Sequence, residues 1–210
     1  MIAIIDYGMG NLKSVQKAFE AVGADVLVTN NEQHINNAKK IVLPGVGAFG
    51  DAVLNLKKLR ILECIKNNIK SGKFFLGLCL GMQLLFEKSK ESPKEKGLGI
   101  FDGEVIGFNF KGNNNSSLKI PHIGWNQIKK TYQCDIKNDI LSDVNDDSFV
   151  YFVHSFYVAL EDTKIAYTTT QYGVSFTSSI AKENVFGFQF HPEKSQGVGL
   201  KIIKKFVTIK

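Results

Sequence analysis

The sequence predicts an α/β protein: an open sheet, parallel in its first half and mixed in its second, with helices on both faces. Three observations carry this. Residues 2–5 are continuously apolar, as in a parallel strand covered on both sides. Leu12, Val15, Ala18, Phe19 and Val22 recur at helical spacing up to Gly23, and residues 25–28 read as a second strand, so the chain opens with a β-α-β unit. Beyond Lys96 the period changes and shorter strand-like stretches follow one another, which predicts mixed pairing in the second half.

Each element has its local cause. Residues 7–11 form a tight turn, with Asn11 as the N-cap of the first helix. A third strand at 41–43 runs into Pro44-Gly45-Val46-Gly47-Ala48-Phe49-Gly50. The glycines there either let backbone N–H groups approach a ligand or merely make a Gly-rich connection. Helices are expected at 51–59 and 62–69, closed by Ser71-Gly72, then a fourth strand at 74–78. Residues 82–87 are mostly good helix formers, so a helix is expected there.

A charged surface loop at 88–96 precedes strands at 97–110 and 124–130, separated by a polar tract at 112–117 that reads as a mobile loop. Further strands are expected at 149–158, 165–170, 174–181 and 185–190. A last helix at 198–209 should turn Leu200, Ile203, Phe206 and Val207 to the core. No repeat or linker interrupts the chain, so residues 1–210 are expected to form one domain.

Composition narrows the function classes. With 44% hydrophobic and 22% charged residues, the chain falls among ordinary globular proteins. No run of about 18 apolar residues predicts a membrane span. The start reaches Asp6 without a basic segment and reads as a strand, not a signal peptide. The net charge of +6 comes from scattered lysines with no aromatic-interleaved basic stripe, so a nucleic-acid partner is not expected. Cys64, Cys79 and Cys134 are odd in number and far apart, which points to free thiols in a reducing cytoplasm. Neither a metal nor a cofactor is expected. No zinc spacing occurs, and the Gly8-x-Gly10 turn is too short for a dinucleotide fingerprint.

The chemistry centres on Gly77-Leu78-Cys79-Leu80-Gly81-Met82-Gln83. A Cys between glycines at a strand-to-helix junction has the pattern of a nucleophile elbow. A helix start favours the negative charge of a thiolate and offers the Leu80 N–H to a developing oxyanion. The competing reading is a small buried Cys of an α/β core. Of four histidines, only His191 has a carboxylate two residues on, Glu193, which an extended backbone would place on the same face. A base and its orienting acid need that spacing. His34 lies in a polar stretch and reads as exposed; His122 and His154 read as satisfied by a backbone group near a sheet edge. Cys79, His191 and Glu193 are thus a candidate Cys-His-Glu triad acting on an amide or ester.

At this point the residues match a family. Ile5-Asp6-Tyr7-Gly8-Met9-Gly10-Asn11-Leu12, Leu43 with the 44–50 loop, the Cys79 elbow, Pro121-His122-Ile123-Gly124-Trp125-Asn126, Tyr151-Phe152-Val153-His154-Ser155 and Gln189-Phe190-His191-Pro192-Glu193-Lys194-Ser195 follow in its order. The chain resembles the class I glutamine amidotransferases, and among them the HisH-type glutaminase subunits of imidazole glycerol phosphate synthase. The resemblance implies a flavodoxin-like class I amidotransferase fold and glutamine as substrate, attacked by Cys79. It implies an oxyanion hole of the Val46 and Leu80 N–H groups, and substrate contacts from Gly47, Gln83, Glu91 and the Ser155-Phe156 backbone. It also implies a heterodimer with a (βα)8-barrel cyclase that receives the ammonia in histidine biosynthesis, with Asn11, Trp125, Tyr151 and Lys194 lining or gating the interface. Paralogues that supply ammonia for sugar amidation in surface-polysaccharide synthesis share these motifs, and the fold also hosts Cys peptidases.

Overall fold

The computed structural model describes residues 1–110, 118–131, 134 and 136–210. The expected mobile tract at 112–117 lies outside the described residues. Through the first half run β1 (Ile2–Ile5), α1 (Leu12–Ala21), β2 (Val26–Thr29), α2 (Glu32–Asn37), β3 (Lys40–Leu43), α3 (Phe49–Lys58), α4 (Leu62–Lys70), β4 (Phe74–Leu78) and the single turn α5 (Leu80–Gln83). The second half contains β5 (Phe86–Ser89), β6 (Phe101–Gly107), β7 (His122–Lys130), β8 (Ser148–His154), β9 (Phe156–Leu160), β10 (Ala166–Tyr172), β11 (Val174–Lys182), β12 (Val185–Phe188) and α6 (Gln196–Thr208).

The strands form one mixed sheet in the order β2-β1-β3-β4-β12-β11-β10-β7-β8, with β5, β6 and β9 joined at its side. Pairing is parallel from β2 to β12 and antiparallel beyond. Because neighbouring residues of a strand point to opposite faces, β1 feeds two cores. Ala3 and Ile5 pack with Phe49, Val53 and Ile65 of α3 and α4, while Ile2 and Ile4 pack with Phe19 of α1 and Ile202 and Phe206 of α6. Helices cover both faces, as expected. Asn11 caps α1 through its side chain, which accepts from the Ser14 N–H at 3.3 Å.

Four local expectations change. The helix expected at 82–87 ends after one turn, because Phe86 is fully buried and pairs with Phe101 in a parallel ladder; helix propensity is a weak prior against such pairing. Residues 32–37, read as a polar stretch, form α2, capped by Asn31, whose side chain accepts from the Gln33 and His34 N–H groups. The strand expected at 149–158 breaks at Ser155 into β8 and β9, which pair with different partners, β7 and β6. In α6 Leu200 is exposed, and Ile202 takes a core place beside Ile203 and Phe206.

Candidate active site

Residues Gly77 and Gly81 make the elbow possible. A Cβ on Gly81 would lie 1.8 Å from the Leu43 carbonyl oxygen, and one on Gly77 2.5 Å from the Gly81 oxygen. Between them Cys79 adopts φ +52° and ψ −106°, a conformation that costs a side-chain-bearing residue about 1–3 kcal/mol. It is held there by its N–H, which donates to the Phe188 carbonyl at 2.7 Å. Cys79 as a whole is 6% exposed.

The parallel register pairs Leu78 of β4 with Phe188 of β12, so the residues that follow both strands emerge together at the carboxyl edge of the sheet. That edge is where open α/β sheets bind ligands. Gln189 directs its Nε2 to the Cys79 sulfur at 3.6 Å. His191 follows, with its Nδ1 2.7 Å from Glu193 Oε1. The backbone between them is not extended: Pro192–Lys194 is a 3-10 turn with His191 as its N-cap, and this turn brings the carboxylate under the ring. Two backbone clips fix the turn to β8. The His191 N–H donates to the Tyr151 carbonyl at 2.9 Å, and the Tyr151 N–H donates to Ser195 Oγ at 3.0 Å.

Burial by itself pulls the His191 pKa down, but the Cys79 sulfur and the Glu193 carboxylate oppose this and raise it above the ordinary imidazole value. Nε2 of His191 is buried, is turned away from Glu193, and has no hydrogen-bond partner among the described residues. The arrangement can therefore hold a proton beside a thiolate, which is what amide cleavage by a Cys needs.

A cavity of about 270 Å³ opens beside the thiol, lined by Val46, Gly47, Cys79, Leu80, Gln83, Glu91, Ser155 and Phe156 among others. Every residue expected to contact substrate or to form the oxyanion hole is on its wall. The Glu91 carboxylate accepts from the Phe49 N–H at the start of α3, at 2.8 Å. Leu80 N–H, expected to serve an oxyanion, donates to the Gly45 carbonyl at 3.4 Å. A trans peptide directs its C=O and N–H oppositely, so the Val46 N–H points away from Leu80 in this arrangement.

Of the residues expected at an interface, three meet. The Trp125 and Tyr151 rings stand 6.0 Å apart edge to face, and the Lys194 Nζ lies 5.6 Å from the Tyr151 ring centroid. Asn11 serves as the α1 cap. His34 is exposed, as expected, and shares a hydrogen bond with Thr29 Oγ1 at 3.1 Å. His154 bonds the Phe156 carbonyl at 2.8 Å, the backbone partner expected for it, whereas the partners of His122 are side chains: His154 Nε2 at 3.0 Å and Asn126 at 3.2 Å.

Gln189 and Tyr7 lie in the segments that match the family, but the sequence reading gave neither a role. Gln189 is fully buried between Phe188 and Phe190, and a polar residue inside an apolar strand run was the available signal. The Tyr7 hydroxyl is buried without a partner among the described residues and lies 2.2 Å from where a Gly45 Cβ would stand; it lies in a matching family segment, but no role was read for it.

A parallel sheet carrying a strained Cys elbow at one strand end, and His-Pro-Glu at the next, defines a class I glutamine amidotransferase. The family model for glutamine amidotransferase class-I matches residues 3–209, and the chain belongs to this family. Within it the chain belongs with the HisH subunits of imidazole glycerol phosphate synthase. It is 52% identical over 206 residues to that subunit from Aquifex aeolicus, covering 97% of this chain and 94% of the relative. To the subunit from Caldanaerobacter subterraneus subsp. tengcongensis it is 50% identical over 208 residues, covering 98% and 97%. Among solved structures, one described as a crystal structure of glutamine amidotransferase superposes with a TM-score of 0.73 at 14% identity, covering 100% of both chains. PurLQS from Thermotoga maritima superposes with 0.70 at 18%, covering 98% of this chain and 96% of that one. At these identities the structures speak for the fold.

Proposed function

We propose that this chain is the glutaminase subunit of an imidazole glycerol phosphate synthase, hydrolysing glutamine and passing the ammonia to a (βα)8-barrel cyclase that makes imidazole glycerol phosphate and AICAR in histidine biosynthesis. The observation that carries the reading is the joint emergence of Cys79 and the His191–Glu193 pair from adjacent parallel strands, beside a cavity sized for one amino acid. An extended peptide substrate would need an open groove.

The Cys79 thiolate attacks the carboxamide carbon of glutamine and forms a C–S bond. Once the Gly45–Val46 peptide has rotated, the Leu80 and Val46 N–H groups stabilise the tetrahedral oxyanion. As the C–N bond breaks, His191 gives its proton to the leaving nitrogen and ammonia departs. Water then adds to the thioester, His191 takes its proton, and glutamate leaves with the thiolate restored. Glu193 orients the imidazole and stabilises its charged form. Gly47, Gln83, Glu91 and the Ser155-Phe156 backbone hold the substrate.

The partner reading is supported by an outward face of β7 and β8. Cross-strand pairing sets Ile123 opposite Val153 and Trp125 opposite Tyr151. Ile123, Trp125 and Phe149 are 59%, 44% and 54% exposed on this one face, and contiguous exposed apolar residues mark interaction sites. This face joins the turn that carries His191 through Tyr151, so docking and catalysis share one strand. On this reading the chain acts as one unit in the cytoplasm, where the Cys64 and Cys79 thiols would stay reduced. Among the described residues no helix is long and apolar enough to cross a membrane.

The test is ammonia release from glutamine by the purified chain, alone and with the cyclase, together with formation of imidazole glycerol phosphate. A chain that releases no ammonia in either setting, or that cleaves peptides instead, would overturn the reading.

A further inference from the structure

The mechanism leaves two buried histidines unused, and their hydrogen bonds run in one direction only. A carbonyl oxygen can only accept, so His154 Nδ1, 2.8 Å from the Phe156 oxygen, carries the proton. In a neutral ring the other nitrogen then accepts, so His122 Nδ1, 3.0 Å from His154 Nε2, is the donor there. His122 Nε2 in turn accepts from the Asn126 amide at 3.2 Å, and Asn126 gives its second proton to the Gln171 carbonyl at 3.0 Å. Burial holds both rings neutral, pulling His122 down to about 4 and His154 to about 3. A proton added to either ring would meet an N–H already in place.

The chain continues beyond Phe156. Its carbonyl also accepts from Gln83 Nε2 at 3.0 Å, and Gln83 Nε2 donates as well to Gln189 Oε1 at 3.1 Å. Gln189 then donates to the Cys79 sulfur at 3.6 Å. Both amide protons of Gln83 are thus committed, which leaves its Oε1 as the group it offers the cavity. Phe156 and His154 line that same cavity.

We propose that His122 and His154 are positioning residues of the substrate site, a directional pair of neutral rings that fixes the Phe156 carbonyl and, through Gln83 and Gln189, sets the amide acceptor facing the substrate and the donor facing Cys79. The pair acts through backbone and neighbouring amides and does not touch the reacting atoms. It begins at Asn126, next to Trp125 on the strand proposed to meet the partner. The role in substrate binding rests on the glutaminase reading; the tautomers do not.

The test uses the complex with the cyclase. His122→Phe keeps a ring in the stack between Phe152 and Tyr172, whose centroids lie 4.8 and 3.9 Å away, but removes both nitrogens. Two hydrogen bonds go with them, and losing the one that holds His154 should raise KM for glutamine about 2- to 10-fold, with a smaller change in kcat. His122→Asn, which restores a donor near the Nδ1 position, should recover part of it. Histidine-selective ¹⁵N NMR of the wild type should find both rings as the Nδ1–H tautomer, unchanged between pH 8 and about 5.5. An Nε2–H tautomer on either ring, or wild-type KM in His122→Phe, would overturn the proposal. If the Phe variant fails to fold, the tautomers of the wild type still decide it. A wild-type complex that releases no ammonia would instead sink the glutaminase reading and leave the tautomer result standing on its own.

Discussion

His191 Nδ1 lies 2.7 Å from Glu193 Oε1 with the two side chains 3% and 2% exposed, so the imidazole is oriented by a carboxylate that water scarcely reaches. A carboxylate so placed contributes orientation and charge, while the proton moves through the other nitrogen. His191→Ala in the cyclase complex should therefore lower glutamine turnover about 10²–10⁴-fold. Glu193→Gln should cost less, because an amide oxygen still accepts from Nδ1–H. Steady-state ammonia release decides it: an equal or larger loss in Glu193→Gln would show that the carboxylate does more than orient.

Cys79→Ala should remove glutamine hydrolysis and leave cyclase binding intact. The substitution deletes one sulfur whose recorded polar contacts are weak, at 3.6 Å to Gln189 and 3.8 Å to the Val153 carbonyl. A glutamine-like electrophile should label Cys79 and spare Cys64, which is buried beside Asn68, and Cys134. Mass spectrometry of the labelled chain reads this directly; even labelling of the three thiols would contradict the assignment.

The Gly45 carbonyl occupies the Leu80 N–H at 3.4 Å, so one donor proposed for the oxyanion is engaged and the other, on Val46, is turned away. Missing one oxyanion donor costs about 10²–10³-fold in rate. The isolated chain should accordingly be a slow glutaminase, and the cyclase with acceptor ligand bound should raise turnover by about that factor, by favouring the rotated peptide. Equal rates alone, with cyclase, and with cyclase plus acceptor ligand would remove this gating while leaving the triad untouched.

Two glycines should respond oppositely to alanine. Gly81→Ala would drive a Cβ to 1.8 Å from a backbone oxygen of Leu43, an overpacking that costs about 3 kcal/mol or more and shifts the elbow. Gly197, at the start of α6, has no described residue within 4 Å of its Cβ direction and no left-handed φ, so alanine there should leave stability equal or about 0.4–1 kcal/mol higher. Thermal melts of the two variants check the contrast.

Acid should weaken the fold through His122 and His154. Both have folded pKa values pulled by burial below the ordinary 6.5, to about 4 and about 3, so the unfolded chain binds protons first as pH falls. Their contribution is complete above pH 6.5 and is lost on descending from there toward pH 4. The ionisable groups facing the pair are each other, Tyr172 stacked on His122, and the His191 charge near His154, which works in the same direction. His191 itself, raised, loses nothing in this window. Melting temperature should fall from pH 7 to pH 5, and less so in His122→Phe; a flat profile in the wild type would refute the assignment.

The sequence by itself marked Cys79, His191 and Glu193, the residues proposed as nucleophile, base and orienting acid, because each stands in a short local pattern. An elbow needs Gly77 and Gly81 where another chain crosses, and Glu193, two residues on from His191, reaches its ring from within the same local segment. The first β-α-β unit and both helix-covered faces were legible for the same reason, since apolar spacing along a few turns fixes which side is buried. Tertiary structure decided what depends on distant pairing. β12 enters beside β4, so Gln189 meets a sulfur 110 positions away. Phe86 leaves a helix-forming run to pair with Phe101. His122 and His154 become partners only because β7 and β8 set them directly opposite. The direction of the Gly45 carbonyl, too, is settled by the chain it faces, since glycine places little local restriction on the peptide. Local patterns fix conformation and chemical type, whereas pairings between remote strands follow from jointly buried surface, which no short window of sequence contains.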